Sequence, residues 1–156
     1  RIRSQAAHRM GMVDDPANAT RETPATPILG MIAPAEDYWN VLGNRWVRAE
    51  ECDFVTRLMF MQQMHKTYAG TSTVCTGVAS KLPGTIVYEM ARQECQERLA
   101  TFFGHPGGVI ETEAKVELDG NTWRAARATV ARTARRIMEG YVFVPSWAEH
   151  LEIAAE

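Results

Sequence analysis

The chain has 156 residues, and 17 lysines and arginines against 19 acidic residues give it a formal charge of −2. At that length a folded chain buries roughly two-thirds of its extended-chain surface, which is enough for one substantial core. Apolar residues at 46% and charged residues at 23% exclude collagen, mucin-like stalks, wholesale disorder and a polybasic nucleic-acid module; nor does any apolar run approach the ~20 residues that span a bilayer.

The chain opens at Arg1 rather than Met, inside a pattern (Ile2, Ala6, Met10) that suits a short helix over residues 2–12. Gly11 and Asp14-Asp15-Pro16 stop it. Arg1 to Gln5 lacks the apolar stretch of a signal peptide. The three widely spaced cysteines, Cys52, Cys75 and Cys95, read as reduced thiols, so the expected location is cytoplasmic. Residues 13–27 are polar and carry Pro16, Pro24 and Pro27, a loop crossing the surface. Residues 28–33 form a compact apolar run, expected as a buried strand. Tyr38, Trp39 and Trp46 flank a turn at Gly43-Asn44. From Asp53 to Met64 the sequence is rich in Phe and Met without a clean period, and strand and helix compete.

Residues 71–82 are clearer: Val74, Val78, Ala79 and Leu82 share one helical face, Thr71 or Ser72 is available as a cap, and Pro83-Gly84 ends the helix. Most of its other residues are small, as suits a buried central helix. Residues 109–118 alternate, with Ile110, Ala114, Val116 and Leu118 on one side and charged residues on the other, and Asp119-Gly120 signals a hairpin. The partner segment is rich in Ala and Arg, so local propensity favours a helix while the hairpin favours a strand; the strand is preferred, because a lone strand would leave an edge uncovered. Tyr141 to Val144 reads as another strand, and Ser146 as the cap of a final helix.

His8, His65, His105 and His150 stand far apart with no metal-ligand spacing, so no metal site is expected. Five arginines between Arg124 and Arg136 read as a solvated or ion-paired face rather than a phosphate-tracking surface. The segment Gly70-Thr71-Ser72-Thr73-Val74-Cys75 carries more information. The first N–H groups of a helix have no internal acceptor, and the helix dipole adds partial positive charge there. Small residues let a carboxylate or phosphate approach those groups. Cys75 lies one turn in, where the same field favours a thiolate. A small-residue packing helix with an inert cysteine explains the composition equally well.

Several segments together resemble one family. They are Met64-His65-Lys66-Thr67-Tyr68-Ala69 followed by Gly70 to Cys75, then Leu82-Pro83-Gly84-Thr85, Gly104-His105-Pro106 with Gly108, and Arg132-Thr133-Ala134-Arg135-Arg136-Ile137-Met138-Glu139-Gly140. Their order and intervals resemble the C-terminal part of PrpF-type proteins. These include aconitate, methylaconitate and methylitaconate isomerases and share the broader diaminopimelate-epimerase-like fold. The resemblance runs from Met10-Gly11 to Pro145. It implies an α+β fold of two similar halves, each a curved, mostly antiparallel β-sheet around a central helix, with the site in the cleft between them. It also implies cofactor-independent proton transfer that moves a double bond in a small carboxylic acid. The central helices would point their N-termini at substrate carboxylates.

On that basis residues 1–156 are expected to be the C-terminal portion of a two-domain isomerase, lacking the first domain and the start of the second. The partners expected are a small carboxylate substrate and either the absent half or a second chain, with neither nucleic acid nor membrane. Thr71, Ser72, Thr73 and Val74 would bind a carboxylate, His65, His105 and Gly107 would line the cleft, and Cys75 would transfer a proton. Cys75 occupies the place where epimerases of this fold carry their second-half cysteine. The family's principal proton-transfer residues, a Lys and a Cys, lie mainly in the first half and match no position here. Gly107 also departs from the Ser that the family often carries. That departure favours an alternative, a non-catalytic carboxylate-binding protein that assists a partner enzyme.

Overall fold

A computed structural model describes residues 1–145. The first helix, α1 (Ile2–Arg9), is followed by a one-turn 3-10 helix and a short α2 (Ala19–Glu22). The expected polar loop is therefore partly helical: Asp15 accepts the Ala17 N–H at 2.8 Å and starts the turn at Pro16. Ala7, Val13 and Ala19 form a small apolar cluster under this segment.

The strands follow as β1 (Leu29–Pro34), β2 (Tyr38–Asn40), β3 (Arg45–Val47), β4 (Phe54–Phe60) and β5 (Gln63–Met64). The competition over residues 53–64 resolves to strand, with a reversal at Met61-Gln62. Then come α3 (Gly70–Ala79), α4 (Ile86–Met90), α5 (Gln93–Glu97), β6 (Ala100–His105), β7 (Gly108–Asp119) and β8 (Thr122–Val130). The principal sheet has the order β1-β4-β6-β7-β8, with β5 also paired to β4. All its pairings are antiparallel except β4 with β6. It curls against α3, an α+β arrangement of a curved sheet around one helix.

Alternation along β4 explains the two faces of this sheet. Phe54, Thr56 and Leu58 face α3, and Phe54 stacks on Phe103 with centroids 5.3 Å apart, while Tyr68 packs edge-on to Phe103 at 5.1 Å. Val55 turns the other way, into a cluster with Tyr38, Val47 and Cys52 beneath the β2–β3 hairpin. Burying side chains of this size contributes roughly 1.5–3 kcal/mol each. The Asp53 carboxylate pins the sheet's base by accepting two bonds from Arg98 (2.6 and 2.8 Å) and the Phe102 N–H at 2.8 Å.

Four expectations need correction. β1 is an edge strand rather than a buried one, because it pairs only with β4, and Met31 is 49% exposed. Neither Thr71 nor Ser72 caps α3; the N-cap is Ala69, with no side-chain cap. The fully buried positions of the helix are Thr73, Thr76 and Gly77, not the apolar stripe through Val74. Small hydroxyl residues win that face because their O–H groups bond locally, Thr73 to the Ala69 carbonyl and Ser80 to the Gly77 carbonyl. Gly77 lets β7 come close, since a Cβ there would lie 2.7 Å from Thr112 Cγ2. Lastly, β8 ends at Val130, and residues 131–145, including Tyr141 to Val144, have no regular structure and lie exposed. The expected helix after Ser146 lies outside the described residues.

Candidate functional site

The start of α3 is built by the segment that follows β5. His65 donates its N–H to the Leu58 carbonyl at 2.7 Å, and its Nδ1 accepts the Thr67 N–H at 3.1 Å, folding the chain into a tight bend. Ala69 is extended (φ −69, ψ 139), and the first helical bond runs from Thr73 N–H to the Ala69 carbonyl at 2.8 Å. The N–H groups of Gly70, Thr71 and Ser72 therefore have no acceptor within the helix. The Arg132 guanidinium packs directly against Gly70, where any Cβ would collide with it. Three neighbouring arginines reach carboxylates: Arg124 to Glu117 (3.3 Å), Arg127 to Glu113 (2.6 Å) and Arg136 to Glu139 (3.0 Å). Among the described residues no carboxylate pairs with Arg132 in this way.

The second component is the β6–β7 turn, where His105 pairs with Gly108 and Pro106-Gly107 makes the reversal. His105 is only 5% exposed, and its Nδ1 accepts the Gly107 N–H at 3.1 Å. Burial pushes its pKa down to about 4, and the charges of Arg57 and His65 act in the same direction. Tyr38 donates its phenol O–H to the Gly108 carbonyl; burial first, then the Cys52 thiol, raises the phenol pKa to about 12, so it stays protonated and holds the turn. A Cβ at Gly107 would come within 3.1 Å of His105 Cε1 and 3.2 Å of Leu42 Cδ1 and Thr67 Cγ2. The turn, the tip of the β2–β3 hairpin and the bend before α3 thus close on one another. A serine at position 107 would need these neighbours to give way by a few tenths of an ångström.

The residues expected at the site fall into two groups. His65, His105 and Gly107 gather around Thr67 beside the helix start, and Thr71 is exposed in the first turn. Ser72 and the exposed Cys75 instead line a groove of about 290 Å³ between α3 and β1, walled by Ile28, Ile32, Leu58 and Val87. Thr73 is buried with its hydroxyl spent on the Ala69 carbonyl, and Val74 is half-buried. Sequence reasoning overlooked Thr67, Tyr38 and Leu42. Arg132 was visible as one member of an arginine run and as the first residue of the Arg132-Thr133-Ala134-Arg135-Arg136 family segment, but not as a residue of the site. Among the described residues no group of His, Cys, Asp and Glu could hold a metal ion, and no helix is long and apolar enough to cross a membrane.

The chain is 43% identical over 143 residues to the 3-methylitaconate isomerase of Eubacterium barkeri, covering 92% of this chain and 36% of that protein. It is 34% identical over 146 residues to the 2-methyl-aconitate isomerase of Shewanella oneidensis, covering 92% and 35%. A crystal structure of methylitaconate-delta-isomerase matches with a TM-score of 0.78 at 38% identity, covering 99% of this chain and 38% of that one. The chain thus spans little more than a third of the length of these relatives. The family model described as PrpF protein matches residues 1–145, and the chain belongs to the PrpF family.

Proposed function

We propose that this chain forms one wall of the active site of a cofactor-independent isomerase, which shifts a double bond in a small di- or tricarboxylic acid by proton transfer. The observation that carries this reading is the uncapped start of α3 with the Arg132 guanidinium against Gly70, a guanidinium that pairs with no carboxylate among the described residues. Two positive ends face each other there, an arrangement that a carboxylate would relieve. The free N–H groups carry roughly half a unit of positive charge from the helix dipole, and a guanidinium fork suits two carboxylate oxygens. Removing a proton beside a carboxylate builds enolate charge, and donors already aimed at that charge can stabilise the transition state by several kcal/mol. Cys75 supplies a thiol for proton transfer on the open side of α3. The facing wall and the main base come from the rest of a PrpF-type protein or from a second chain. The relatives named as 3-methylitaconate and 2-methyl-aconitate isomerases support the substrate class.

Proton NMR in D2O of 3-methylitaconate or cis-aconitate, incubated with this chain joined to the half or second chain that supplies the base, tests this. Exchange of the proton next to a carboxylate, with movement of the double bond, is the expected result. Binding without exchange would favour the accessory protein suggested by Gly107. Neither binding nor exchange would end both readings.

A further inference from the structure

The two histidines beside the helix start are locked in the same way. His65 Nδ1 accepts the N–H of Thr67, and His105 Nδ1 accepts the N–H of Gly107, each at 3.1 Å. A ring nitrogen that accepts an N–H carries no proton, so a neutral imidazole held this way has its proton on Nε2. An imidazolium would place a second N–H against the backbone donor at that distance. For the buried His105 the geometry therefore disfavours the charged ring. Burial of the His105 ring first, and then the Arg57 charge from β4, act in the same direction; His65 from the bend after β5 and a Tyr38 phenol from β2 that stays neutral are the other titratable groups near it.

His105 is 95% buried by its 5% exposure, yet its Nε2–H has no acceptor among the described residues. No buried side-chain polar atom in the described structure is both sealed from solvent and unpaired, so this nitrogen remains reachable. A nearly buried, fixed donor that no described residue satisfies, beside the Thr67 bend that leads into α3, is placed to take an acceptor brought in from outside.

Building on the carboxylate site proposed above, we propose that His105 is a neutral Nε2–H donor to an oxygen of the bound carboxylate. It strengthens that bond as enolate charge develops, and it is not the base. The ring gives up no proton, so its contribution persists across the range in which an ordinary histidine would titrate.

Long-range proton–nitrogen NMR of the ¹⁵N-labelled chain tests the assignment, with methylsuccinate as the probe, a saturated dicarboxylate that has no double bond to move. At pH 7 His105 is expected as the Nε2–H tautomer, without titrating between pH 5 and 8, and its Nε2–H signal is expected to move downfield on adding methylsuccinate. An Nδ1–H tautomer or an imidazolium at pH 7 would overturn the assignment. Movement of the Gly70, Thr71 and Ser72 amides with a stationary His105 signal would overturn it while leaving the carboxylate site intact; no movement in either place would remove both. His105→Gln, which keeps a side-chain N–H, is expected to bind methylsuccinate within about threefold of the unaltered chain, whereas His105→Leu loses tenfold or more. Equal losses in the two variants would contradict the donor role.

Discussion

At the C-terminal end of α3 the polar groups are taken up inside the fold. Ser80 Oγ donates to the Gly77 carbonyl at 2.8 Å, and Thr85 Oγ1 donates to the Ala79 carbonyl at 2.6 Å while accepting the Tyr88 N–H at 3.1 Å. The buried Lys81 ammonium donates to the carbonyls of Cys95, Arg98 (2.8 Å) and Ala100 (3.3 Å), tying the helix end to the chain that enters β6. At the N-terminal end, Ala69 offers no side-chain acceptor and an arginine presses on Gly70. One end anchors the helix, and the other leaves donors open at some cost in stability, which is the usual relation between scaffold and site.

The largest effect should come from the anchored end. Lys81→Met removes the donor shared by three carbonyls and is expected to cost about 3 kcal/mol in urea unfolding, because buried acceptors lose a charged partner. A loss under about 1 kcal/mol would mean that water replaces the ammonium and the anchor is weak. Gly77→Ala should follow at about 2 kcal/mol, since its Cβ would lie 2.7 Å from Thr112 Cγ2 across the contact with β7.

A pH titration of stability probes the site end. His105 binds its proton more weakly when folded (about 4) than when unfolded (6.5), so the unfolded chain takes up more protons between those values. Stability is therefore expected to fall as the pH drops from about 6.5 to about 4, by on the order of 2 kcal/mol, and His105→Gln should flatten that slope. The smallest and most pointed change is Ala69→Asp. A carboxylate at the N-cap should raise stability by about 1 kcal/mol in thermal melts while weakening dicarboxylate binding, because it occupies the same N–H groups. Loss of stability in that variant would show that the helix start is not open.

How much of this was legible in the sequence depended on whether a local signal or a distant partner decided the outcome. The β7–β8 hairpin was readable from the alternation and from Asp119-Gly120. β8 is a strand despite its Ala and Arg content because it pairs along β7, where Arg124 sits across from Glu117 and Arg127, opposite Lys115, reaches diagonally to Glu113. α3 was legible as a helix, but its buried face was not, since apolar residues suggested Val74 while local hydroxyl bonds let Thr73 and Ser80 go inward and the Tyr68 phenol takes up the Thr76 hydroxyl. The helix start and the Gly-His-Pro turn stood out from composition. Arg132 did not, because only the fold distinguishes the arginine that lies on Gly70 from those that meet a glutamate. The histidine tautomers depend on turn geometry two residues away, which no residue pattern displays.

The most direct measurement is a methylsuccinate titration of the ¹⁵N-labelled chain, following its backbone amides and repeated with Arg132→Gln. The largest shifts are expected at Gly70, Thr71 and Ser72, with affinity reduced about tenfold in the variant. Shifts confined to other parts of the chain, or an affinity indifferent to Arg132, would contradict the assignment of the carboxylate to the open end of α3.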